Sequence, residues 1–241
     1  MRAPARVLLV EDDDSVSRFV ALAVDDMPVS LIRCRCVADA VKTLEEAPVR
    51  LLLTDLMLPG ESGLSLLVRL RDNPQLRGDA LIAVFSAGLG AQMRQELAAF
   101  PVWRLLSKPV PLGTLRQCID DALAGGAEEA VSPPQEAAGT LSADDSSAVQ
   151  TYFGGDAELF MAYRKSCEQQ FPLDIRAGDA AMLSADLGAL RRLAHSLASV
   201  QLTLGKTLQS EHAKALELSA EAGDVHASQR HWALVRSALM P

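Results

Sequence analysis

No apolar run in this chain of 241 residues approaches the roughly 18 residues that a membrane span needs. Runs such as Val7–Val10 and Leu51–Leu53 end after a few positions. Met1–Arg6 is basic, but Val7–Val10 is too short for a signal-peptide core and runs straight into acids. Cysteine is sparse: Cys34, Cys36, Cys118 and Cys167. No pair has CxxC spacing and no histidine lies close in sequence to complete a metal site, which excludes a zinc framework. Cys34 and Cys36 alternate along an expected strand and share one face. Ordinary reduced thiols are expected, in a cytoplasmic setting. Basic charge is short as well, with 23 Lys and Arg against 31 Asp and Glu for a net −8. The basic residues form only scattered pairs, which argues against a nucleic-acid partner.

What is present suits a folded chain of one large domain or two small ones. Apolar residues make up 49% and charged residues 22%, close to globular averages. Over residues 1–124, short apolar runs alternate with helical patterns. Strands are expected at Val7–Val10, Leu31–Cys34, Leu51–Leu53, Leu81–Phe85 and Val102–Leu106. Helices are expected at Val16–Val24, Ala38–Glu46, Gly63–Arg71, Ala91–Ala99 and Leu112–Leu123, with apolar residues near helical spacing. Five strand–helix units imply an α/β, flavodoxin-like, doubly wound five-stranded parallel sheet. Residues 125–140, with Gly-Gly, Ser-Pro-Pro and few apolar residues, predict a flexible linker.

Residues 141–241 show no strand pattern. A short helix is expected over Asp144–Tyr152, broken by Gly154-Gly155 ahead of the N-cap residue Asp156. A long pattern from Ala157 towards Met182 carries Pro172, where a bend is expected. Another helix starts at Ser184 or Asp186, with Leu187, Leu190, Ala194 and Leu197 on one stripe, and ends at Leu204-Gly205. Two more follow, Thr207–Glu221 and Val225–Leu239. Long amphipathic helices with short connections predict an all-α bundle.

Doubly wound sheets bind ligands at the carboxyl ends of their strands. There this sequence places Glu11, Asp12, Asp13 and Asp14 after the first strand and Asp55 after the third. Clustered carboxylates raise one another's pKa unless a cation neutralises them, and hard oxygen ligands suit Mg²⁺. Ser86 ends the fourth strand and Lys108 follows the fifth, adding a hydroxyl and an ammonium to the same rim. Asp13 and Asp14 read as helix-capping residues.

Residues 5–124 resemble the receiver domain of two-component response regulators. The resemblance rests on Val10-Glu11-Asp12-Asp13, Thr54-Asp55-Leu56-Met57-Leu58-Pro59-Gly60 with Gly63, Phe85-Ser86-Ala87, and Lys108-Pro109. It implies that Asp55 is phosphorylated, that Glu11, Asp12, Asp55 and the Met57 carbonyl hold Mg²⁺, and that Ser86 and Lys108 bind the phosphoryl group. It also implies a cis Lys108–Pro109 peptide that aims Lys108 into the site. Receivers usually carry an aromatic residue three positions before the lysine; in this sequence Leu105 stands there.

Four histidines occur: His195, His212, His226 and His231. The last three read as surface residues. His195 sits one residue past the apolar stripe, about 100° off its axis, so it is expected to flank the core exposed. Arg191 and Arg192 precede it on the same face, and the small Ala198 and Ser199 follow. This half resembles a histidine-containing phosphotransfer (HPt) domain, through Tyr152-Phe153-Gly154-Gly155-Asp156, Leu190-Arg191-Arg192-Leu193-Ala194-His195-Ser196-Leu197 and Leu204-Gly205. The resemblance implies that His195 is phosphorylated, with Arg191, Arg192, Ala198 and Ser199 on the docking surface. The family's Lys-Gly pair after His-x-Leu is Ala198-Ser199 here.

The sequence thus reads as a phosphorelay protein and not an enzyme. Asp55 would take phosphoryl from an upstream histidine kinase or HPt protein. His195 would exchange it with a receiver, its own or a downstream partner's, within one chain or across a homodimer. Two rivals are a docking adapter with a non-phosphorylated bundle and, more remotely, an Asp-nucleophile phosphatase suggested by Asp12-x-Asp14.

Overall fold

The computed structural model of the protein describes residues 4–87, 89–125 and 145–240. The chain divides into two compact units, with the division at residues 137–138. The predicted linker, from residue 126 on, and Asp144 lie outside the described residues.

In the first unit, the elements run β1 (Ala5–Val10), α1 (Asp14–Ala23), β2 (Val29–Cys34), α2 (Val37–Glu46), β3 (Leu51–Thr54) and α3 (Gly63–Asp72). A short α4 (Pro74–Arg77), then β4 (Leu81–Ser86), α5 (Ala91–Leu97), β5 (Arg104–Ser107) and α6 (Leu112–Ala124) complete it. The strands form one parallel sheet in the order β2-β1-β3-β4-β5, the flavodoxin-like arrangement. Helices cover both faces, so the central strands must be apolar on both sides. Accordingly Val7, Leu8, Leu9, Leu51, Leu52 and Leu53 have no exposed surface.

The short α4 was not expected from periodicity. It exists because Asn73 accepts a hydrogen bond from the Leu76 amide at 3.3 Å and Pro74 occupies the first turn, where a missing N–H costs nothing. β5 begins at Arg104, two residues later than its apolar run suggests. The register aligns the strand ends: Val10 pairs with Thr54, Thr54 with Val84, and Ser86 with Ser107. The residues that follow β1, β3, β4 and β5 therefore emerge at one rim of the sheet.

In the second unit, five helices follow: α7 (Asp145–Phe153), α8 (Ala157–Leu183), α9 (Leu187–Thr203), α10 (Thr207–Glu221) and α11 (Val225–Leu239). The stretch expected to bend at Pro172 is a single helix of 27 residues. Three aspartates start helices, two of them, Asp156 and Asp186, at positions the sequence suggested. Asp156, Asp186 and Asp224 accept from the amides of Leu159, Ala189 and Ala227 at 2.8–2.9 Å. Helix α9 packs against α8 and most extensively against α10, while α11 closes against α8 and α10. At the end near α7, Phe153 meets Phe160 edge-on, with ring centroids 5.4 Å apart.

Candidate functional site

Asp55 leaves β3 with its amide donating to the Val10 carbonyl at 3.0 Å, which ties the ends of β1 and β3 together. Its side chain is buried, and one oxygen, Oδ1, accepts from the amides of Leu56 at 2.6 Å and Met57 at 3.1 Å. The other, Oδ2, accepts from Lys108 Nζ at 2.6 Å. The Lys108 amide donates to the Ser86 carbonyl at 3.0 Å and the Lys108–Pro109 peptide is cis. The Lys108 side chain thus reaches from the end of β5 to Asp55 at the end of β3. Its ammonium also donates to Glu11 Oε2 at 2.5 Å and lies 4.8 Å from the Phe85 ring centroid, a cation–π contact. Ser86 is buried at the end of β4.

The neighbouring acids take different roles. Asp13 caps α1, accepting from the Val16 amide at 2.7 Å. Asp14 is the first helical residue and pairs with Arg35 at 2.5 Å on the surface, so only Asp13 is the cap. A second Arg35 nitrogen donates to the Asp12 carbonyl at 2.9 Å, holding the turn after β1. Gly63 begins α3 directly against the site. A Cβ there would fall 1.9 Å from the Asp55 carbonyl oxygen, and the Gly63 amide donates to the Leu56 carbonyl at 2.9 Å.

Three carboxylates, Glu11, Asp12 and Asp55, thus surround one buried ammonium. Burial pushes the Glu11 carboxyl well above the usual carboxylate range; Lys108 opposes this and the charges of Asp55 and Asp13 add to it. Asp12 is raised by burial and then by Asp55. Burial alone would depress Lys108, but the two carboxylates it touches overcome this and raise it, so it remains an ammonium. The excess negative charge and all-oxygen donor set fit a hard divalent cation such as Mg²⁺.

Glu11 is the exception among the expected ligands. Its Oε2 is taken by Lys108 and its Oε1 accepts from the Asp13 amide at 3.3 Å. With the lysine standing between Glu11 and Asp55, no group of three or more His, Cys, Asp or Glu side chains among the described residues is arranged to hold a metal ion. Asp12, Asp55 and the Met57 carbonyl are the groups that would ligate it.

The description "response regulator receiver domain" matches residues 7–120. The response regulator receiver protein CpdR of Brucella abortus is 31% identical over 120 residues, which span 49% of this chain and 96% of CpdR. The chain belongs to the response regulator receiver family. The response regulator protein PilR of Pseudomonas aeruginosa is 29% identical over 118 residues, 49% of this chain but only 26% of PilR. The chemotaxis response regulator CheY4 of Vibrio cholerae is 20% identical, covering 49% of this chain and 98% of that one with a TM-score of 0.45. Leu105 lies within β5, partly buried against the core, and Trp103 is stacked by the Arg104 guanidinium at 4.3 Å. No helix among the described residues is long and apolar enough to cross a membrane.

The helical unit places His195 differently from expectation. Its side chain is buried at 7% exposure, because α10 packs on the side of α9 that the apolar stripe left open. Nδ1 lies 2.8 Å from Glu217 Oε1 on α10, and Nε2 is buried with no hydrogen-bond partner. Ala198 and Ser199 are buried too, so they do not offer an open docking surface. Arg191 and Arg192 are half-buried, and Arg191 pairs with Glu221 at 2.8 Å. Glu217 and Phe85 are site residues that sequence reading passed over. Phe85 stood inside a recognised motif without an assigned role, and Glu217 carried no local signal, since only helix pairing brings it to His195.

Proposed function

We propose that the protein is a phosphorelay intermediate in which Asp55 accepts a phosphoryl group from the phosphohistidine of an upstream kinase or HPt protein. The observation that carries this reading is the buried Asp55–Lys108 contact at 2.6 Å beside the acidic side chains of Glu11 and Asp12. Oδ1 is oriented by two backbone amides, whereas the partner of Oδ2 is a side-chain ammonium that can follow a phosphoryl oxygen. Ser86 would donate its hydroxyl to the same group. Mg²⁺, bound through Asp12, Asp55 and the Met57 carbonyl, would neutralise charge on the transferring phosphoryl group. His195 would then carry phosphoryl to or from a receiver aspartate, this chain's own or that of a downstream partner. The protein relays the group and does not turn over a substrate.

A second reading is favoured by the burial of His195, at 5% of its surface. In it the bundle docks on partners without being phosphorylated. Labelling with acetyl phosphate and Mg²⁺ separates the two, because acyl phosphates are lost in alkali whereas phosphohistidine survives alkali and is lost in acid. The relay predicts alkali-stable label in the wild type that disappears in both Asp55→Asn and His195→Gln. Label that is only alkali-labile and needs Asp55 alone would leave the bundle as a docking module.

A further inference from the structure

The end of the receiver sheet away from Asp55 carries a cleft that phosphoryl transfer does not use. Asp55, Ser86 and Lys108 lie at the carboxyl ends of β3, β4 and β5, whereas this cleft opens at the amino ends of those strands. With six residues in β4, the two ends of the sheet are roughly 15–20 Å apart. The cleft has a volume of about 450 Å³, a size typical of small-molecule sites. Arg50, just before β3, Arg77, at the end of α4, and Trp103, just before β5, all line it. Arg50 Nε donates to the Ala122 carbonyl on α6 at 2.6 Å, which fixes that side chain in place. Neither Arg50 nor Arg77 forms an ion pair with a carboxylate among the described residues. Arg104, stacked on Trp103, is by contrast paired with Asp121 at 2.7 Å. Two further groups of the lining, Arg77 Nε and Trp103 Nε1, are buried with no hydrogen-bond partner among the described residues. Guanidinium and indole nitrogens only donate, so what these groups lack is an acceptor. Buried donors are nearly always paired, and leaving them unpaired costs stability.

We propose that this cleft binds a small oxyanion, a molecule carrying a carboxylate or a phosphate, held by the guanidinium groups of Arg50 and Arg77 and by the indole N–H of Trp103. The planar fork of arginine matches the oxygens of either group. Ile82 and Pro101, also in the lining, give an apolar wall for the rest of the molecule. Asp79 is the one acid in the lining, so two arginines leave an excess of one positive charge in a chain of net −8. That balance suits a ligand of low negative charge, since Asp79 repels a highly charged one. The acidic rim around Asp55 has the opposite sign and would repel the same ligand, which makes the two ends of the sheet chemically distinct.

The full chain carrying Trp232→Phe, in which Trp103 alone fluoresces, tests this by titration with inorganic phosphate and with succinate at constant ionic strength and without Mg²⁺. At least one of the two is expected to change Trp103 emission saturably, with a dissociation constant of about 1 mM or below, and to move the NMR signal of the Trp103 indole N–H. Arg77→Gln is expected to weaken that binding about 10–100-fold, the loss that goes with a charge-assisted hydrogen bond. Asp55→Asn is expected to leave it unchanged. Should Arg77→Gln fail to fold, judged by uptake of label at Asp55 from acetyl phosphate and Mg²⁺, Trp103→Phe followed by calorimetry takes its place, since it keeps an aromatic ring and removes the donor. A response to succinate alone identifies a carboxylate site and a response to phosphate alone a phosphate site; either supports the proposal. It is overturned if neither probe saturates, if the affinity is the same without the Arg77 guanidinium or the Trp103 N–H, or if the response disappears in Asp55→Asn, which would place the anion at the acidic rim.

Discussion

Gly63 shows how a single missing side chain sets up the receiver site. A β-carbon there would sit 1.9 Å from the Asp55 carbonyl oxygen and 2.9 Å from the Leu56 Cα, both backbone atoms of the site. Neither can swing aside as a flexible side chain would, so the turn after β3 must shift. Gly63→Ala is expected to destabilise the receiver by about 1–3 kcal/mol and to slow labelling of Asp55 by acetyl phosphate, measured by urea denaturation and label uptake. An unchanged midpoint would show that the turn yields at no cost. The sequence marks Gly63 as part of a motif, but the reason for a glycine is a contact between separate segments that no local pattern reveals. His195 carries the opposite lesson. Its spacing correctly set it beside the stripe of Leu190, Ala194 and Leu197, but whether that flank faces water depends on where α10 packs.

At the scale of elements, most of the fold was legible because strands and helices announce themselves through periodicity and punctuation. The apolar runs of β1 and β3 and the caps at Asp156 and Asp186 fell where local chemistry placed them. The short α4 did not, since one turn leaves no periodic signal. Helix pairing is less legible still. Gly178 on α8 lies against Trp232 on α11, and an added Cβ would stand 2.1 Å from the indole ring. The indole Nε1 is meanwhile held at 2.9 Å by Asp179 Oδ1, and Arg236 Nε reaches the same carboxylate at 3.0 Å. With the ring tethered, it has little freedom to retreat. Gly178→Ala should therefore destabilise the bundle by about 1–3 kcal/mol, even though alanine favours an isolated helix. A rise in the thermal midpoint would mean that helix propensity outweighs this packing.

For the whole molecule, the two tryptophans are divided between the units, Trp103 in the receiver and Trp232 in the bundle. Each can report on its own unit once the other is replaced by phenylalanine. A ligand stabilises only the state that binds it, by about 2.7 kcal/mol at 100 times its dissociation constant. Mg²⁺ is therefore expected to raise the unfolding midpoint seen by Trp103, to leave that seen by Trp232 in place, and to lose most of its effect in Asp12→Asn. Equal movement of both midpoints would show that the units unfold together. The sequence by itself determined the layer architecture, the helical nature of the second unit and the identity of the strand-end residues Glu11, Asp12, Asp55, Ser86 and Lys108. Those follow from local periodicity and from the rule that strand ends line the ligand rim. Only the tertiary structure decided that Lys108 stands between Glu11 and Asp55, that Gly63 abuts the Asp55 backbone, and that His195 lies buried against Glu217. Each depends on groups far apart in the chain meeting at hydrogen-bonding or van der Waals distance, which packing alone brings about.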